Sequence, residues 1–207
     1  MIAEVAEALR GKRLAVVDVE GNGHNPAPEI IEIAIVPIDG HVVDAEDLRC
    51  WLVRPQNPIN PVVTRKVHGI RDSDVADCPQ WAQIAPTVGA ALSGRVLVAH
   101  NATVEHKALS SHLPLWEPPM VLDTLRLAKV VWPHLSGYGL DALIEHAALD
   151  MAAVCDQRRH RAAYDAWAAW QLLHRLVLDG DLDWDALVRA GGLPEFVPAP
   201  EPEGGLW

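Results

Sequence analysis

Leu14-Ala-Val-Val17 is a short apolar, β-branched run between Gly11 and the glycines at 21 and 23, the pattern of a strand buried on both faces. Glu29-Ile-Ile-Glu-Ile-Ala-Ile-Val-Pro37 is strongly β, and Asp39-Gly40 predicts a hairpin turn into a strand running from His41 to about Val53. Pro55, Pro58 and Pro61 then stiffen an excursion that ends in a short helix over Val62 to Val67. Cys78-Pro79 opens a predicted helix to about Leu92, kinked or split by Pro86. Arg95 to Ala99 reads as a second buried strand, with a helix following from about Ala102 to Ser111. Val121 to Val131 reads as a strand end running into a helix, and Gly139 to Ala148 as another helix. The strongest helical periodicity lies between Ala162 and Val177, where Ala163, Trp167, Trp170, Leu173 and Val177 recur at steps of three and four. Trp184 to Arg189 is a last short helix, and Met1 to Arg10 carries an acidic amphipathic helix pattern. Strands, a hairpin and then alternating helices predict an α/β domain with a mixed sheet over residues 1–192, followed by a flexible, Pro/Glu/Gly-rich tail over 193–207.

No window approaches 18 uninterrupted apolar residues, and the N-terminus lacks a basic leader. Secretion and membrane insertion are therefore not expected. Cys50, Cys78 and Cys155 are odd in number and widely spaced, which points to reduced thiols, read here as packing residues, in a cytoplasmic protein. The eight tryptophans fall mostly on apolar helix faces and read as core. The formal charge of −11 opposes the basic face with which most nucleic-acid binders displace counterions. Single strands, short oligonucleotides, nucleotide-sized esters or delivery by a protein partner suit it better than long duplex DNA.

The candidate chemistry lies in charges that interrupt the apolar pattern. Asp18 and Glu20 end the first strand; two residues apart, they point to one side, where like charges repel unless a cation lies between them. Taken alone, the pair also fits a strand that ends in solvated acids before a turn. Glu105 shares its helix stripe with Ala102, Ala108 and Leu109, and Asp165 shares its own with Ala162, Ala168 and Ala169. Either would be costly on a buried face unless both converged with Asp18 and Glu20 on divalent ions, for which carboxylate oxygens suit magnesium or manganese. His160 lies five residues before Asp165, splayed by roughly 140° on a continuous helix. If the helix instead begins at or just after Arg161, His160 sits in the preceding loop and can fold over the acids.

These segments resemble the DEDDh class of 3'-to-5' exonucleases, the group that contains the proofreading subunit of bacterial replicative polymerases, on a ribonuclease H-like fold. Asp18-Val-Glu20 resembles the first motif, Pro28 to Ala34 the strand after it, and Val67-His-Gly-Ile70 the short helix-turn of the proofreading subunits. Ala99 to Leu109 resembles the second motif, Leu122-Asp-Thr-Leu125 with Gly139 to Leu143 the segment before the third, and His160-Arg-Ala-Ala-Tyr-Asp-Ala166 the third. Two positions depart from the pattern. The second motif usually reads aromatic then aspartate, and here Val104-Glu105 stands in its place, carrying the carboxylate one methylene, roughly 1.5 Å, further out. The threonine pair that often follows the first motif is replaced by Gly21-Asn22.

The resemblance implies a mixed five-stranded sheet flanked by helices and a two-metal-ion hydrolysis of single-stranded DNA or RNA from its 3' end. Asp18, Glu20 and Asp165 would bind two magnesium or manganese ions, Glu105 would complete the shell directly or through water, and His160 would act as general base. Gly21, Asn22, His100 and Asn101 would shape the nucleotide pocket. A protein partner or a homodimer is compatible. Two other functions stay open: a related phosphoesterase acting on nucleotides or other small phosphate compounds, and a non-catalytic binding or scaffold module that retains the fold.

Overall fold

The computed structural model describes residues 2–24, 28–40 and 42–197. The chain runs β1 (Ile2–Glu4), a 3-10 turn at Glu7–Leu9, β2 (Leu14–Gly21), β3 (Ile30–Ile38), β4 (Val42–Asp44), a 3-10 turn at Ala45–Asp47 and β5 (Arg49–Leu52). Next come α1 (Pro61–Lys66), α2 (Asp72–Val75), α3 (Trp81–Leu92), β6 (Val96–Ala99), α4 (Thr103–His112), β7 (Val121–Asp123) and α5 (Thr124–Val131). The last helices are α6 (Leu140–Ala147), α7 (Ala162–Asp179) and α8 (Trp184–Gly191).

Five strands form one sheet in the order β5-β3-β2-β6-β7. β2 pairs antiparallel with β3, and β3 with β5, whereas β2–β6 and β6–β7 are parallel, so the expected mixed five-stranded sheet with flanking helices is present. Strand alternation divides the apolar run at its centre. Leu14 and Val16 pack into a core with α5, α7 and α8, while Ala15 and Val17 pack on the opposite face against α3 and α4. Helix α7 presents the small, buried Ala162, Ala163, Ala166 and Ala169 along with fully buried Trp167 and Trp170. Small side chains bring a helix axis close to a strand, and the tryptophans fill the space further along.

The β2–β6 ladder covers only Leu14 to Val16, opposite Val96 to Val98. β2 itself continues to Gly21 against β3. Beyond Val16 no ladder joins it to β6, and this is the end of the parallel strands at which open α/β sheets place their ligand crevice.

Several expectations need correction. Residues 2–10 are not one helix: Ile2–Glu4 pairs antiparallel with Val42–Asp44, and a pairing partner some forty residues away outweighs a local amphipathic pattern. Val5, Ala6 and Leu9 are buried all the same. The predicted strand from His41 to Val53 is two strands, β4 on β1 and β5 on β3, separated by the Ala45–Asp47 turn, which Asp44 caps by accepting from the Glu46 N–H. His41 lies outside the described residues. α3 is one helix with Pro86 in its interior. The cysteines are free, but Cys50 and Cys155 are exposed and only Cys78 is half-buried, so they are not all packing residues. The domain also extends past residue 192: Leu193 is buried, its N–H donates to the Val121 carbonyl, and Phe196 packs on His106; residues 198–207 lie outside the described residues. Among the described residues, no helix is long and apolar enough to cross a membrane.

Candidate active site

Asp18 and Glu20 continue the face of β2 that Leu14 and Val16 begin, so they point toward α7. Asp165 meets them from the first turn of α7, and one carboxylate oxygen from each of Asp18, Glu20 and Asp165 lies within 4.8 Å of the others. Glu105 reaches the crevice from α4, the helix that follows β6 in the opposite layer. It is buried, and its charge is one of those that raise the pKa values of Asp18 and Glu20, but it is not part of the tight group of three.

Burial disfavours the ionised form of all four acids, and for Asp18 and Glu20 the neighbouring acids add to it. Burial, then the charges of Asp165, Glu105, Glu20 and Glu32, lift the Asp18 carboxyl well above its usual range. Burial and Asp165 push Glu20 up to about 8, and Arg161 offsets part of that. Burial pushes Glu105 up to about 8. It pushes Asp165 up to about 6, against the opposing pull of His160, by charge and through its backbone N–H.

The donor set fits a divalent metal. Asp18 Oδ2 and Glu105 Oε2 are shut off from solvent with no hydrogen-bond partner among the described residues. Buried polar atoms are rarely left in that condition, and hard oxygen donors facing one another are what magnesium and manganese take. A bound cation would supply such a partner and oppose these upward shifts.

His160 occupies the loop ahead of α7, because the helix begins at Ala162 with Arg161 as its N-cap. Its backbone is left-handed, φ 59°, a conformation in which histidine is several-fold enriched relative to most residues. The ring stands at the mouth of the crevice, half in solvent, with Nδ1 3.9 Å from Asp165 Oδ2 and Nε2 3.7 Å from Asp141 Oδ2 on α6. Both separations exceed a hydrogen bond, so the ring is flanked by carboxylates without being bound by either.

The proposed pocket residues divide. Asn101 is exposed at the end of β6, also left-handed at φ 67°, with its N–H donating to Asp123 Oδ1 at 3.0 Å. His100 is tied down, its ring nitrogens 3.0 Å from Thr124 Oγ1 and 3.0 Å from the Tyr138 carbonyl. Asn22 is fully buried and committed to its own loop: Oδ1 accepts from the Glu29 N–H at 3.0 Å and the His24 N–H at 3.3 Å, and Nδ2 donates to Glu29 Oε1 at 3.2 Å. Glu29 in turn accepts from the Gln56 and Asn57 N–H groups, so the proline-rich excursion is fastened to the loop after β2. Gly23, at φ +78°, passes so close to α1 that an added Cβ would lie 2.4 Å from Val63 Cγ2, leaving room only for glycine. Of the Gly21–Pro28 loop, residues 25–27 lie outside the described residues.

Sequence reasoning named no role for Glu32, Arg161, Asp141 or His68. Glu32 had a signal, an acid in the midst of an isoleucine-rich strand. His68 was quoted only within a motif; it is buried against the Gly21 backbone, with Nδ1 accepting from the Ile70 N–H at 3.0 Å. Asp141 was likewise quoted only within the Gly139 to Leu143 segment; its partners are Arg159 and His160.

Residues 15–173 match the exonuclease family. The chain is 33% identical over 177 residues to the PolC-type DNA polymerase III of Caldanaerobacter subterraneus subsp. tengcongensis, covering 83% of this chain but 12% of that one. To the DNA polymerase III subunit epsilon of Pasteurella multocida it is 27% identical over 205 residues, covering 92% of this chain and 73% of the subunit. Among solved structures, exonuclease X in complex with 5' overhanging duplex DNA superposes with a TM-score of 0.69 at 28% identity, covering 86% of this chain and 98% of that one. A family match over most of the sheet and helices, joined to acids gathered at the open ends of the parallel strands, places this chain in the exonuclease family, on the ribonuclease H-like fold.

Proposed function

We propose that the protein is a divalent-metal-dependent hydrolase that removes nucleotides from the 3' end of single-stranded DNA or RNA. The observation that carries this is the meeting of Asp18, Glu20 and Asp165 with a buried, unpartnered Asp18 oxygen among them, an arrangement that is unfavourable without cations. Asp18, Glu20 and Asp165 would hold two magnesium or manganese ions, with Glu105 completing the shell directly or through water. When bound, the metals supply a polarised water and charge compensation at the phosphodiester. The water oxygen attacks phosphorus and the bond to the leaving 3' oxygen breaks. His160 takes the proton of the attacking water, a role suited to a half-exposed imidazole beside Asp165. Asn101 and the backbone at Gly21 would touch the terminal nucleotide, while His100 and Asn22 would set the walls by holding the loops that carry them.

The net charge of −11 favours a flexible single strand over a long duplex. Relatives named as polymerase III components support delivery by a protein partner in the cytoplasm. The same charge, with the Gly21-Asn22 departure, favours a second reading in which small nucleotide esters are the substrate. A time course on 5'-labelled single-stranded and duplex oligonucleotides of both sugars, beside mononucleotide esters, with magnesium, manganese or chelator, tests both. A ladder shortening from the 3' end only with metal is expected. Turnover of mononucleotide esters alone supports the second reading, and no metal-dependent turnover at all overturns the first.

A further inference from the structure

Glu32 is a fifth acid at this site, and its chemistry differs from that of the other four. It lies in β3 directly across from Glu20 and is 2% exposed, yet it is not among the carboxylates grouped for a metal. Both of its oxygens are taken. Arg161 donates through Nε to Oε2 at 2.8 Å and through Nη2 to Oε1 at 2.5 Å, and the Ala162 N–H donates to Oε2 at 2.9 Å. Cys50 Sγ approaches Oε1 at 3.8 Å. Glu32 therefore caps the first turn of α7 from a neighbouring strand, whereas the N-cap Arg161 makes no cap bond with its own side chain. Residues 160 and 165, on either side of that joint, are the proposed base and a proposed metal ligand.

We propose that Glu32 and Arg161 are positioning residues for the reaction, a buried brace that fixes the start of α7 so that Asp165 and His160 meet the acids of β2. This rests on the hydrolase reading above. A buried ion pair adds little to stability compared with an apolar pair of similar volume, so stability alone does not account for it. What the pair supplies is geometry: a planar two-pronged contact together with a capped N–H sets helix register within a fraction of a turn. A displacement of about 1 Å at reacting groups is enough to lower a rate by about 10²-fold.

The test uses the full chain and three variants: Glu32→Gln, Arg161→Lys, and the apolar pair Glu32→Met with Arg161→Leu. kcat and KM per folded molecule on a single-stranded oligonucleotide, the imidazole NMR signals of His160 without metal, and the thermal midpoint are measured. Both single variants should lower kcat by about 10- to 100-fold with KM unchanged, and should shift the His160 signals. The apolar pair should regain much of the wild-type thermal midpoint without regaining kcat. Wild-type kcat in the apolar pair, or unmoved His160 signals in all three, would overturn the brace. If the wild type itself hydrolyses no nucleic acid, the proposed function fails instead, and the His160 signals still decide the brace.

Discussion

Removing metal from this site should make the protein's stability fall as pH rises, and Glu20 gives the clearest measure of it. Its carboxyl is pushed from 4.5 up to about 8, chiefly by burial and then by Asp165. A carboxyl raised in the folded state contributes stability that is fully present below its unfolded value and is lost as pH climbs through the folded one. At about 1.36 kcal/mol per pH unit, ionising Glu20 in the folded, metal-free protein costs about 5 kcal/mol. Urea denaturation in chelator should therefore show wild type losing about 3 to 4 kcal/mol more than Glu20→Gln between pH 5 and 8.5. Manganese or magnesium should restore the wild type at the upper pH and act weakly on the variant. Parallel stability curves for the two proteins would show that Glu20 is solvated, and the electrostatic account of the site would fall with that result.

Asp18→Asn or Asp165→Asn should abolish metal-dependent hydrolysis while the metal-free fold holds or gains stability at pH 8, read by turnover and thermal unfolding, since repulsion is relieved. His160→Ala should lower kcat by about 10² to 10⁴ with manganese affinity largely kept; a collapse of manganese binding alone would make His160 a ligand. Glu105→Asp shortens the reach from α4, and magnesium-supported activity should stay equal or rise; a large loss in the same assay would show a site built around the longer acid.

Much of this architecture was legible because buried elements write their neighbours into their own pattern. The run at Leu14 to Val17 announced a strand covered on both faces, and the alanines and tryptophans of Ala162 to Val177 announced a helix lying on it. Asp18, Glu20, Glu105 and Asp165 stood out as charges on apolar faces, and the structure brings three together with the fourth close by. What escaped the sequence was non-local. The first strand exists only because Val42–Asp44 pairs with it, and nothing in the first ten residues encodes that partner. Glu32 and Arg161 are 129 residues apart, so neither position by itself shows that the other completes it. Asn22 belonged to a turn-rich stretch that suggested an open binding loop, but its carboxamide is spent on holding that loop shut against Glu29.

The claim that the β2 acids and Asp165 exist to hold divalent cations can be examined in a crystal grown with manganese, with diffraction recorded at the manganese absorption edge. Anomalous density among the oxygens of Asp18, Glu20 and Asp165, lost in Asp18→Asn crystals, is the predicted result. Density elsewhere, or none there in a preparation that manganese activates, would contradict it.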